Sequence, residues 1–120
     1  MSGERALQDK TTDIALRIIR LVESLPAGAV GNVVGHQVLR SGTSIGANYR
    51  AAARAKSKAD MLNKFKIVEE EADETLYWLD LLVKSNTVPE NRLKPLMDDV
   101  EQVIALTVAS IKTLRANQAS

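Results

Sequence analysis

Cysteine is missing altogether from this 120-residue sequence, so disulfides, thiolate metal sites and a cysteine nucleophile are excluded. Histidine occurs once, at His36. A carboxylate-bridged dimetal bundle needs a Glu-x-x-His motif on each of two helices, and Val33 stands where the glutamate of such a motif belongs. A single histidine, with no serine in a nucleophile-elbow setting, also argues against a catalytic triad. Aromatic residues make up 3% of the chain, so the core must be aliphatic, which suits helices packed on helices better than sheets. No apolar run approaches the roughly 18 residues of a membrane span. The stretch from Met1 to Lys10 is charged and polar, with no apolar signal segment behind it. The expectation is a soluble, cytoplasmic protein with no cofactor. Gly31-Asn32-Val33-Val34-Gly35 lacks the third glycine or the Lys-Ser/Thr pair of a phosphate loop, so no nucleotide site is read there.

What the chain does have is helical periodicity between two breaks. Pro26-Ala27-Gly28 closes a first stretch carrying Ile14, Ile18, Leu21, Val22 and Leu25, with Thr12 or Asp13 as candidate caps and an earlier start as the alternative. Asn86-Thr87-Val88-Pro89 closes a later one, and Pro89 suits the first turn of the helix that follows. That last helix carries Leu93, Leu96, Val100, Val103, Thr107 and Leu114, with Met97, Ile104 and Ile111 beside them. The region between the breaks would be over ~80 Å long as one helix at 1.5 Å per residue. A division near Lys56 is more economical, because Ser57-Lys58-Ala59-Asp60 has the form of a capping box. Beyond it Met61, Phe65, Val68, Ala72, Thr75, Leu79 and Leu82 form a heptad stripe. The expectation is an all-α, antiparallel up-down-up-down four-helix bundle in one domain, 1–120, with helices near 12–25, 30–55, 58–85 and 89–115.

The second helix is unusual. Its stripe runs Val34, Val38, Ser41, Ile45, Asn48, Ala52, Ala55, shrinking in size and twice polar. Gly42, Gly46 and Ala53 lie alongside. Glycine in a helix interior costs about 1 kcal/mol relative to alanine, and close approach of another helix is one offset. The alternative is a loop over 40–43, with the helix starting at Thr43 or Ser44.

Charge is distributed unevenly although the net value is +1. Arg40 to Lys66 holds seven bases against Asp60, and Glu69 to Asp80 holds six acids and no base. Two opposed patches of this kind steer a partner, or are simply solvated helix faces. Arg40, Arg50, Arg54, Lys56 and Lys58 are the candidates for binding nucleic acid or a partner, through forked or point-like cationic donors. Tyr49 is close enough to offer a stacking ring. Glu70 and Glu74, one turn apart, are the one carboxylate pair open to an enzymatic reading. Trp78 points partly sideways from the heptad stripe, either filling the bundle's flank or anchoring a contact between molecules.

Three segments are specific enough to compare with a family. They are Ser41-Gly42-Thr43-Ser44-Ile45-Gly46-Ala47-Asn48-Tyr49-Arg50, then Ala55-Lys56-Ser57-Lys58-Ala59-Asp60, then Glu71-Ala72-Asp73-Glu74-Thr75-Leu76-Tyr77-Trp78-Leu79. Together they resemble the bacterial four helix bundle proteins, also called the 23S rRNA intervening-sequence protein family. The resemblance implies a bundle that assembles into a ring, with homopentamers the known form. Some members are encoded within ribosomal RNA genes. A related branch, the accessory variability determinants of diversity-generating retroelements, binds a reverse transcriptase and nucleic acid. On this resemblance Gly42, Gly46, Asn48, Tyr49, Glu71, Glu74 and Trp78 are candidates for helix packing or for an interface between copies. Ala51 and Glu70 depart from the family's usual acid and lysine, and the second change makes the third helix more acidic. The leading expectation is therefore a non-enzymatic, self-assembling scaffold for a protein or RNA partner. The alternative is an RNA- or DNA-binding accessory protein acting through Arg50 to Lys58.

Overall fold

The side-chain cap at Ser57 is formed, and the return bond of the capping box goes to the amide of Lys56, one residue ahead of the cap. The Ser57 side-chain oxygen accepts from the amide of Asp60 at 3.0 Å, and Asp60 Oδ2 lies 3.3 Å from the amide of Lys56. This cap opens one of four helices in the computed structural model, which describes residues 2–119. They are α1 (Ser2–Glu23), α2 (Ala29–Ala53), α3 (Lys58–Lys84) and α4 (Glu90–Ala119), with no strand among the described residues. Helix α3 ends in a Schellman motif: Asn86 takes φ 61°, its amide bonds Val83 O, and the amide of Thr87 bonds Leu82 O. Asparagine tolerates this left-handed conformation better than most residues. The reversal buries Val88 and leaves Pro89 directly ahead of α4.

Contacts fix the packing order. Thr11 lies against Gly46, Ile18 against Gly42 and Leu25 against Gly35, so α1 and α2 run antiparallel. Ser41 bonds Thr75, and Tyr49 stacks near Phe65, so α2 and α3 do too. Arg17 meets Asp99 while Ser24 meets Arg92, which sets α1 against α4 in the same sense. Among the described residues helices α1 and α3 each touch both α2 and α4 but not each other. They stand at opposite corners of a rod about 52 × 22 × 22 Å.

The core follows the stripes. Ile14, Ile18, Val38, Ile45, Val68, Leu79, Leu82, Val100 and Val103 are fully buried. Helix α1 starts far ahead of the expected caps at Thr12 or Asp13. The hydroxyls of Thr11 and Thr12 both donate back to Gln8 O, a bond inside a helix rather than at its start. The signal was Leu7, which extends the stripe of Thr11, Ile14, Ile18 and Leu21 by one more step and packs against the core. Helix α2 is continuous through 40–43, and it ends at Ala53 with Arg54 as its cap.

Candidate functional site

Arg40 is engaged within the chain. Its guanidinium donates to Glu71 at 3.3 Å, pairs with Glu74, and reaches Gln37 Oε1 at 3.2 Å. Trp78 Nε1 donates to the same Glu74 carboxylate at 2.9 Å. Residues on α2 and α3 thus form one polar clasp, and the half-buried Trp78 packs against the core beneath it. Glu74 is committed to Arg40 and Trp78, so it does not form a working pair with the exposed Glu70. Among the described residues no three His, Asp or Glu side chains gather in a way that would hold a metal ion. His36 is an exposed position on α2.

The remaining candidate bases do collect. Arg50 lies in the last turn of α2 and Arg54 caps it, with Lys56 and Lys58 following across the turn. All four are exposed, and among the described residues none of them forms an ion pair. Tyr49 does not join them as a stacking platform. It follows Ile45 by one turn on the core side of α2, is 6% exposed, and has its ring 6.0 Å from that of Phe65. The basic turn offers charge without an aromatic face.

Gly42 and Gly46 receive α1. A Cβ at Gly42 would overlap the Ile18 side chain, and one at Gly46 would sit 3.3 Å from Thr11 Oγ1. Of the two roles open to the small-residue flank, helix packing and an interface between copies, the first is taken up by the chain's own first helix. Ile18 and Thr11 are both buried there, so this face already has its partner. Asn48 is half-buried and donates to Ser44 O at 2.9 Å.

Helix α1 meets α4 differently. Asp99 accepts from Arg17 at 2.6 Å and pairs with Lys10 at 3.2 Å, while Arg17 also reaches Asp13 at 3.1 Å. The hydrogen bond from Arg17, reinforced by Lys10, holds the Asp99 carboxyl below its ordinary value and raises Arg17 in turn. Toward the α1 amino-terminal end the two helices part around an open groove of about 990 Å³. Leu7, Tyr49, Met61, Phe65, Leu106 and Leu114 give it an apolar lining. Sequence reading missed this groove because nothing local says that α1 and α4 separate.

Large apolar side chains also point outward. Leu16, Ile19, Val30, Val33, Tyr77 and Leu106 are all more than a third exposed. Leu16 and Ile19 stand off the stripe of Leu7, Thr11, Ile14, Ile18 and Leu21, so their outward direction was already visible in the sequence. No helix of the described residues is long and apolar enough to cross a membrane.

The class is a small all-α four-helix bundle with outward apolar residues and a basic turn. Residues 5–109 match the 23S rRNA-intervening sequence protein family, and the chain belongs to that family. It is also similar to a crystal structure of a protein of unknown function from the S23 ribosomal protein family of Bacteroides thetaiotaomicron VPI-5482. The TM-score is 0.83 at 37% identity, covering 91% of this chain and 97% of that one. The sequence matches no curated protein.

Proposed function

We propose that this protein is a non-enzymatic bundle that assembles with copies of itself into a closed ring and serves as a scaffold for a protein or RNA partner. The ring is of five copies, as the family resemblance implies. The observation that carries the reading is the outward set of Leu16, Ile19, Val30, Val33, Tyr77 and Leu106. Scattered single apolar residues are normal on a surface, but here two pairs, Leu16 with Ile19 and Val30 with Val33, share a helix face at one-turn spacing. The polar groups support the same view, since the tightest cluster, around Arg40, joins helices and presents no reactive atom. Sedimentation equilibrium at micromolar concentration is the test: assembled protein is expected, and a monomer would remove the proposal.

A second reading rests on the basic turn. Four exposed cations that have no acid partner among the described residues suit a phosphate backbone, so Arg50, Arg54, Lys56 and Lys58 would bind RNA or DNA by charge rather than by base reading. Titration of a short single-stranded RNA at two salt concentrations tests it. Affinity should fall steeply with salt and drop further in the Arg50→Ala/Arg54→Ala variant. No binding at low salt would end this reading.

A further inference from the structure

We infer that the end of the bundle remote from the basic turn holds a site for a small phosphorylated molecule, with Arg20 and Arg92 as its charged ligands and Arg17 as a further donor. This goes beyond the assembly reading and does not depend on it. The antiparallel packing puts the carboxyl end of α1 and the amino end of α4 at one end of the rod, with Arg50 to Lys58 at the other. Between α1 and α4 at that end lies an open depression of about 190 Å³. Arg17, Arg20, Leu21, Arg92, Leu93 and Leu96 line it. Half of this lining is arginine, and none of it is acid.

The three arginines differ in what already holds them. Arg17 is bound to Asp13 and Asp99, so it brings donors to the depression but little net charge. Arg20, in the last turn of α1, and Arg92, in the first turn of α4, are exposed, and among the described residues neither pairs with an acid. Glu23 and Glu90 are exposed at the same end, but neither lines the depression. Arg92 is nevertheless aimed. Its Nη2 donates to Ser24 Oγ at 2.8 Å, and Ser24 gives its own proton to Leu21 O at 2.7 Å, which turns an oxygen lone pair toward the arginine. Standing at the positive end of α4, Arg92 is at a place where a cation is disfavoured and an anion offsets the cost. The floor is apolar: Leu21, Leu93 and Leu96 are each no more than 4% exposed. Less water on that side strengthens the pull of a guanidinium on an anion.

Two forked guanidiniums over an apolar floor suit one compact, doubly charged oxyanion, whose oxygens accept paired N–H bonds. The floor beside it suits the carbon stem of a phosphate monoester. A nucleic-acid backbone instead spreads single charges along a strand and calls for a row of cations. No such row continues here, since Lys94, the next base along α4, is paired with Asp98.

Calorimetric titration of inorganic pyrophosphate into the full chain, in a low-salt chloride buffer, tests the site. Saturable binding of one pyrophosphate per chain is expected. Arg20→Ala and Arg92→Ala should each weaken it by about tenfold or more. Both residues are exposed, so circular dichroism should show the helices of these variants unchanged. Arg50→Ala/Arg54→Ala, at the far end of the rod, should leave the affinity as it is. A single-stranded RNA without a terminal phosphate should not displace the pyrophosphate. Displacement by that RNA from the Arg20 and Arg92 site would make the depression a nucleic-acid contact and overturn the inference. No saturable binding, or binding that survives in Arg20→Ala/Arg92→Ala, would overturn it too. None of these outcomes bears on self-assembly, which sedimentation decides separately.

Discussion

The two flanks of α1 are held by different physics. Against α2 the contact is steric and dry: Ile18 fills the space left by Gly42 and is fully buried. Against α4 the contact is a wet ionic clip at Asp99, and beyond it the helices part around a groove. Burying an aliphatic side chain of this size contributes about 1.5–3 kcal/mol, whereas a half-exposed ion pair contributes roughly 0–1 kcal/mol. The α2 side is therefore the anchor, and the α4 side is where the bundle gives. The general lesson is that a helix in a small bundle need not be equally bound to both neighbours. Its free side is then available for other contacts.

Substitutions can break or sharpen this contrast. Leu79→Ala, in the part of the core where α3 is fully enclosed, should have the largest effect, a loss of about 2–5 kcal/mol in urea unfolding. Gly42→Val, on the tight flank, should cost about 1–3 kcal/mol, because the new side chain must displace a buried Ile18. A loss smaller than that of a clip variant would reverse the ranking of the two flanks.

Asp99→Asn, on the ionic flank, should cost no more than about 1 kcal/mol, since the Asp99 side chain is 34% exposed and screened by solvent. Its sign with pH is fixed. Asp99 is held below its ordinary value of 3.8, so its ionised form favours the folded state. The contribution is complete above that value and is lost as the pH falls through the lower folded value. Stability measured from neutral to strongly acid pH should therefore fall less in the variant than in the wild type. Leu106→Gln, in the open groove, should change stability by less than about 0.5 kcal/mol. A larger loss on thermal unfolding would mean that the groove belongs to the core.

Much of the fold was legible because its signals are local. Ser57 and Asp60 announce the start of α3, Asn86 to Pro89 announce its end, and the heptad stripe from Met61 to Leu82 is buried as its period implies, with Val68, Ala72, Thr75, Leu79 and Leu82 innermost. The start of α1 escaped because Thr12 and Asp13 look like caps, and it is the bond from the Thr12 hydroxyl to Gln8 O that shows the helix already under way. The sites were harder for a related reason. Arg40 reads as one of a basic group until α3 brings Glu71 and Glu74 to it, and Asp99 is one acid among several until α1 brings Arg17 and Lys10. Which charges remain free depends on which helices are neighbours, and no helix records that by itself. The glycines show the same limit: their spacing implied a close approach, but not that α1 would be the partner.

The buried hydroxyl pair Ser41–Thr75 carries one more consequence. Thr75 Oγ1 lies 2.9 Å from Ser41 Oγ and 2.7 Å from Glu71 O, and both residues are wholly enclosed. Aliphatic stripes alone are nearly indifferent to a shift of one turn along the axis, because leucine meets valine or isoleucine about equally well either way. A shift would break the bond between the two hydroxyls and leave each with only the bond inside its own helix, to Glu71 O and Val38 O, at a cost of about 0.5–1.5 kcal/mol. The pair works as an index mark that selects one alignment of α2 and α3, and so fixes the height at which every outward residue of the bundle is displayed.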